Sequence, residues 1–343
     1  MKFLKLISII FLLNSCTKER PQLQVPSPVL PKTYSKAFVL NEGIFPNDNS
    51  SITLYDETQG VVSDNYFKYK NPNAVLGSVP QSITKVGNNY FLVVNNASKI
   101  IVLDSSFVKI TEINDLLSPR YMLDLPNNKA YVSDYVANTI HIINTQTFTK
   151  TGTISCNGWT EKMLLIDNLA YITNYKKNYL YVVDVTTDAI TDSIGITKGA
   201  DAIVKDINNN IWVMCTSIYT NEHKYIYCIN PTTKAIIKTF EFANNAMPSK
   251  MCINKNGDNL YYISKHVYKL NINDKALPTT FLIDGSAPKI WYGLAINPSN
   301  ENVYVSDSKA GQNFSKVYVY KYTGEAITSF DAGYFAGNLF FEK

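Results

Sequence analysis

The chain has 343 residues, 45% of them hydrophobic and 17% charged, with 24 Tyr and 16 Phe. That composition supplies a sizeable core and excludes a disordered or low-complexity chain. The formal net charge is +4, part of it from Lys2 and Lys5, and offers no global attraction for polyanions such as nucleic acid.

Lys2 and Lys5 flank the start of an apolar run, residues 6–13, too short to span a bilayer. Leu13-Asn14-Ser15-Cys16 follows. An aliphatic residue three before a cysteine, with a small residue just before it, resembles the bacterial lipoprotein signal. The resemblance implies that residues 1–16 are a signal peptide ending in a lipidated Cys16. Acyl chains contribute about 0.8 kcal/mol per buried CH₂, so the protein is expected to be membrane-attached without spanning the membrane. Residues 17–36 carry Pro21, Pro26, Pro28 and Pro31 among polar residues, which reads as a semi-rigid polyproline tether.

The repeats begin at Ala37. Ala130-Tyr131-Val132-Ser133-Asp134-Tyr135 is echoed by Ala170-Tyr171-Ile172-Thr173-Asn174-Tyr175, and each is followed by a second apolar run closing on Asn144 or Asp184. Alternating β-branched and aromatic residues ending in turn residues predict strand, loop, strand, turn. Equivalent marks at Asp56, Asp104, Asn144, Asp184, Asn230, Asn271 and Lys321 are spaced by 48, 40, 40, 46, 41 and 50 residues. Inner strands are predicted to start at Pro80, Pro119, Thr160, Ala200, Pro248 and Trp291, one fewer than the units require. Gly337-Asn338-Leu339-Phe340-Phe341 has no partners of its own and supplies the missing strand. The expectation is an all-β fold, a seven-bladed β-propeller of four-stranded blades over residues 37–343, its ring closed by the C-terminal strand. No amphipathic helix is predicted, and Asn256-Gly257-Asp258 reads as a hairpin turn.

Cys16, Cys156, Cys215, Cys228 and Cys252 form no CxxC pair, and His141, His223 and His266 are scattered, so no metal set is predicted. Cys215 and Cys228 share a hairpin. They read either as a disulfide or, preferably, as two buried thiols. His141 is expected half-buried within a strand.

In four-stranded blades the turn into the inner strand and the loop after the second strand emerge on one face. The inner-strand starts bring Gln81, Arg120, Tyr121, Trp159, Glu161, Lys162, Asp201, Lys250, Trp291 and Tyr292 to that mouth. The loops bring Asn41, Glu42, Phe45, Asn96, Tyr135, Tyr175, Tyr219 and Lys309, and Tyr334 and Phe335 precede the closing strand. From these, the expected ligand-binding set is Gln81, Arg120, Tyr121, Tyr135, Trp159, Glu161, Lys162, Tyr175, Asp201, Lys250, Trp291, Tyr292, Tyr334 and Phe335. Aromatic area with polar groups of both signs suits a large, flat, partly polar ligand, although each aromatic taken singly reads first as packing. Glu161 and Asp201 hold equivalent places in neighbouring units. They read as a carboxylate pair or, preferably, as acids that are solvated or salt-bridged, with Lys162 or Arg120 as the partner. No nucleophile elbow, zinc-protease helix or phosphate loop is present, so neither an enzyme nor a cofactor is predicted.

The segments 130–134, 170–174 and 303–307 resemble the Tyr-Val-Thr-Asn repeat of seven-bladed surface and periplasmic propellers. Segments 39–43, 51–56, 79–83 and 117–121 resemble lipoprotein propellers of Bacteroidota. That group includes surface lipoproteins that bind cobalamin and pass it to a TonB-dependent outer-membrane transporter. The resemblance implies a monomeric, lipid-anchored outer-membrane protein at the cell surface that captures a nutrient, cobalamin foremost. The alternatives are an envelope scaffold docking macromolecules on its rim and a single-stranded nucleic-acid binder. The near-neutral charge disfavours the latter.

Overall fold

The computed structural model describes residues 36–45, 47, 49–216 and 223–342. The expected signal segment with Cys16, the expected tether up to residue 35 and Tyr219 lie outside them. Among the described residues the β-branched and aromatic runs form seven antiparallel sheets arranged as the blades of a propeller. Their inner strands are Ala336–Glu342, Pro80–Val86, Pro119–Leu125, Thr160–Ile166, Ala200–Lys205, Pro248–Ile253 and Trp291–Ile296, which define blades one to seven.

Burial explains the sequence pattern of each strand. Second strands such as Leu169–Asn174 and third strands such as Tyr179–Asp184 are buried on both faces between neighbouring blades, so they read as continuous apolar runs. Outer strands such as Thr149–Ser155 and Ala189–Gly195 are mostly exposed and polar. Seven apolar clusters fill the structure, one at each blade junction. Phe38, Leu40 and Leu92 meet between blades one and two, and Tyr304, Val317 and Ala37 between seven and one. Full burial of one such side chain contributes about 1.5–3 kcal/mol, so each junction is a substantial core of its own.

The ring closes as the unit count predicted. Ala336–Glu342 pairs antiparallel with Lys36–Asn41, placing Phe340 opposite Phe38 and Leu339 opposite Val39. The repeat marks also have a local cause. Asp56, Asp104, Asn144, Asp184, Asn230 and Asn271 each accept backbone N–H groups from the turn that follows the third strand. Lys321 has no such acceptor; its backbone N–H bonds the Glu325 carbonyl and its ammonium pairs with the Glu325 carboxylate at 2.8 Å.

Several expectations are corrected. Blade six has three strands, because residues 272–290 leave the sheet after Asn271 and return only as a bridge from Ile283 to Val267. Pro278 and Pro288 in this stretch lack the N–H that an outer strand needs. A five-residue helix, Tyr66–Lys70, tucks Phe67 into the junction of blades one and two, and is too short for a helical period to show in the sequence. Cys215 and Cys228, by contrast, are free, buried thiols, as the preferred reading held. His141 is fully buried rather than half-buried, with its Nε2 3.1 Å from Asp134 Oδ2. No helix among the described residues is long and apolar enough to cross a membrane.

Candidate ligand-binding site

All seven inner strands start at one end of the ring, and at each start the register with the neighbouring strand slips. A bulge of this kind turns a side chain away from its alternation, here at the same place in every blade. The residues at the slips are Gly337, Gln81, Arg120 with Tyr121, Glu161 with Lys162, Asp201, Lys250 and Tyr292. Lys250 takes a left-handed backbone conformation, φ 48°, which a residue with a side chain adopts only at a cost. Gly337 leaves its place in the ring to Glu42, whose Oε1 would lie 2.2 Å from a Cβ built on that glycine.

The first layer of contacts is a chain of charge-assisted bonds. Arg120 donates through Nε to Glu161 Oε1 at 3.0 Å and through a terminal nitrogen to Gln81 Oε1 at 2.6 Å. Gln81 Nε2 donates to the Tyr121 hydroxyl at 3.1 Å. The Trp159 indole N–H donates to Glu161 as well. On the other side of the ring the Tyr292 hydroxyl donates to Glu42 Oε2 at 2.7 Å, and Lys250 Nζ stands 5.4 Å from the Tyr292 ring centre. Lys162 Nζ stands 5.7 Å from the Tyr121 ring centre.

These groups wall a cavity of about 330 Å³ bordered by Arg120, Tyr121, Trp159, Glu161, Lys162, Tyr175, Asp201, Lys250, Trp291 and Tyr292, with Ala202 and Ser249. A further space of about 230 Å³ follows along the inner strands, and Tyr121 and Lys162 border both. Trp159 stacks on Tyr175 with ring centres 4.4 Å apart and meets the edge of Tyr135 at 4.2 Å, giving one aromatic wall.

The electrostatics are uneven. Burial opposes the charge on Arg120, but Glu161 with Tyr121 and Glu42 together outweigh it and hold the guanidinium protonated more firmly than usual. Burial pushes the Asp201 carboxyl up to about 7, with Lys162 and Lys250 pulling it back and Glu161 adding to the rise. Burial likewise lowers the Lys250 ammonium, against the pull of Glu42. Burial raises the phenols of Tyr121 and Tyr292, and Glu161 and Glu42 respectively raise them further. Asp201 Oδ2 accepts from Thr216 at 3.4 Å, while its buried Oδ1 has no partner.

Ten of the fourteen residues expected at the mouth border the cavity. Gln81 is buried behind Arg120, Tyr135 braces Trp159 from the exposed side, Phe335 packs edge-on to Tyr292 at 5.5 Å, and Tyr334 packs on Phe314 at 4.8 Å. Trp291, although it borders the cavity, is 7% exposed and belongs to the junction of blades six and seven. Glu161 pairs with Arg120, as the salt-bridge reading held, and not with Asp201. Ala202 and Ser249 were missed because small residues carry no chemical signal, although alignment of the inner-strand starts would have found them. Among the described residues no His, Cys, Asp and Glu side chains gather as a metal-ligand set.

The family described as a domain of unknown function, DUF5074, matches residues 36–342. No curated protein matches the chain. Among solved structures it is similar to a quinonprotein alcohol dehydrogenase-like protein from Bacteroides thetaiotaomicron, with a TM-score of 0.71 and 13% identity over 90% of this chain and 78% of the other. It is similar to a provisionally assigned 6-phosphogluconolactonase from Bacteroides fragilis, with a TM-score of 0.69 and 10% identity over 91% of this chain and all of the other (100%). It is also similar to hydrazine synthase from Kuenenia stuttgartiensis, with a TM-score of 0.60 and 11% identity over 76% and 88%. At such identities the likeness concerns the fold and carries no chemistry.

Proposed function

We propose that this chain, which belongs to the DUF5074 family, is a binding protein that captures a small organic anion at the mouth of its propeller. The observation that carries the reading is the repeated register slip. The same irregularity in all seven blades gathers Arg120, Lys162, Asp201 and Lys250 around one cavity, and a purely structural ring would not need charged residues there. Glu161 is held by Arg120, and burial keeps the Asp201 carboxyl largely neutral below about pH 7, so Lys162 and Lys250 against the one charge of Glu42 leave an excess of positive charge facing the cavity. The volume lies at the lower end of the roughly 300–1,000 Å³ usual for small-molecule pockets.

In this reading the segment ending in Cys16 anchors the protein to the outer membrane, and the captured nutrient passes to a TonB-dependent transporter. Cobalamin, the ligand implied by the sequence resemblance, exceeds the cavity and would lie across its rim. The ligand of the cavity itself is smaller.

The test is a calorimetric titration of the chain from residue 18 onward with cyanocobalamin and with a panel of small carboxylates and phosphates, repeated on Lys162→Met and Lys250→Met. Saturable one-to-one binding of an anion, weakened about tenfold or more by either substitution as expected for loss of a charge-assisted bond, supports capture in the cavity. Heat from cyanocobalamin that neither substitution alters moves the site to the rim. No binding by any probe overturns the reading.

A further inference from the structure

We infer that the ligand of this cavity is a polyhydroxylated carboxylate of monosaccharide size, a sugar acid such as a hexuronate. Its carboxylate lies between Lys162 and Lys250, and a hydroxyl lies on Asp201. The inference rests on the mouth being a ligand site and adds what the ligand must carry.

Three consecutive blades each contribute one incomplete group. Lys162 of blade four and Lys250 of blade six donate no hydrogen bond to any described residue; each stands over an aromatic ring and feels the Asp201 carboxyl without bonding to it. Two ammonium groups bordering one cavity call for acceptors that the described residues do not provide, and a carboxylate offers several lone pairs at once. Asp201 of blade five lies between them in the ring and has the opposite need. Its Oδ2 is held by Thr216 at 3.4 Å, while the buried Oδ1 has no partner among the described residues. A buried oxygen left without a donor costs about 1–3 kcal/mol, and Asp201 borders the cavity, so a ligand hydroxyl that reaches this carboxyl offsets that cost.

Acetate answers the lysines and leaves Asp201 unmet, and a neutral sugar does the reverse. A ligand bearing both a carboxylate and adjacent hydroxyls satisfies all three. The remaining wall is aromatic, with Trp159 braced by Tyr175 and Tyr135 and fixed through its indole N–H by Glu161. The C–H face of a pyranose ring packs favourably on such a surface, because the π-face is electron-rich and the C–H edges carry partial positive charge. Phosphate brings acceptors and a P–OH donor but no C–H face for the aromatic wall.

The experiment is a calorimetric titration of the chain with D-glucuronate, D-galacturonate and D-gluconate, alongside D-glucose, D-galactose, acetate and phosphate. At least one sugar acid is expected to saturate one-to-one, with the neutral sugars and acetate each weaker by about tenfold or more, the size of a lost buried hydrogen bond or ion contact. Asp201→Ala should weaken the sugar acid by a similar factor and Asp201→Asn should restore most of it, since the amide still pairs with a hydroxyl. Unchanged thermal unfolding of both variants excludes a folding defect. Acetate or phosphate binding as tightly as every sugar acid overturns this inference and leaves anion capture standing. A neutral sugar binding as tightly overturns it as well. Silence from all seven probes removes it.

Discussion

Arg120 of blade three and Glu161 of blade four occupy the same position in successive repeats, and they meet across the ring with Nε to Oε1 at 3.0 Å. Glu161 is 3% exposed at its side chain and Arg120 20%, so the pair is largely withdrawn from water. It joins two blades at the cavity wall and fixes the Trp159 indole from the same carboxylate. A buried pair of this kind is weak evidence for net stability, but removing one partner strands the other.

Glu161→Ala is therefore expected to cost about 3 kcal/mol, because it leaves a guanidinium in a site that burial already disfavours. Arg120→Met combined with Glu161→Leu should recover more than half of that loss, since neither charge remains to be stranded. Urea unfolding of the native chain and the two variants decides it, and a Glu161→Ala cost below about 1 kcal/mol would show that water reaches the guanidinium.

Asp201 gives the fold a pH dependence with a definite sign. Its folded carboxyl titrates at about 7, against 3.8 for an ordinary aspartate. Below about 4 both states hold the proton and the contribution is complete. As pH rises toward 7 the unfolded chain loses the proton while the folded chain retains it, so stability falls; above 7 the contribution is gone. Each pH unit inside that window is worth roughly 1.4 kcal/mol. Going from about pH 5.5 to 6.5, the native chain should lose on the order of 1 kcal/mol relative to Asp201→Asn, measured by denaturant midpoints. Parallel pH profiles for the two proteins would remove Asp201 from this role.

The parts of the fold legible in the sequence are those with short-range causes. Asp56, Asp104, Asn144 and Asp184 mark the ends of third strands because each bonds backbone groups two to four residues ahead, so the mark travels with the strand. Pro80, Pro119 and Pro248 mark inner-strand starts for a similarly local reason, since they stand at the first residue of a strand. What stayed hidden depends on residues far apart. Glu42 takes the place that Gly337 leaves, and Tyr292 receives it from the opposite end of the chain. Trp291 looks like its neighbour Tyr292 in sequence, yet one packs into a blade junction and the other reaches Glu42. The missing strand of blade six is an absence, and its repeat mark at Asn271 survives because the third strand is intact.

The thiols should be silent in the folded protein. Cys156, Cys215 and Cys228 are buried, and burial pushes all three, together with the partly buried Cys252, up to about 12. At pH 8 almost none is present as the reactive thiolate. A thiol reagent applied to the chain from residue 18 onward should label none of these four rapidly in buffer and all four in denaturant. Reductant should leave the unfolding midpoint unchanged. A midpoint that falls in reductant would mean that Cys215 and Cys228 had paired.

Removing residues 336–343 tests the closure of the ring. The last strand contributes Ala336, Leu339 and Phe341 to the junction of blades seven and one, and Phe340 packs at the junction of one and two. Its loss strips both faces of blade one at the inner edge and leaves Lys36–Asn41 as an open strand of buried residues. It also removes Glu342, which holds the Tyr90 hydroxyl and Lys85 of blade two. Leu339, Phe340 and Phe341 together contribute up to about 9 kcal/mol, at about 1.5–3 kcal/mol for each side chain fully buried, which is comparable with the roughly 5–15 kcal/mol by which whole domains are stable. The truncated chain is therefore expected to lose its cooperative thermal transition and to associate through the exposed edge, as read by calorimetry and light scattering. The same deletion supplied with a synthetic peptide spanning residues 334–343 should regain part of the transition, because the strand carries all of its contacts with it. A truncated chain that melts within a few degrees of the intact one would show that the other blade junctions hold the ring without it.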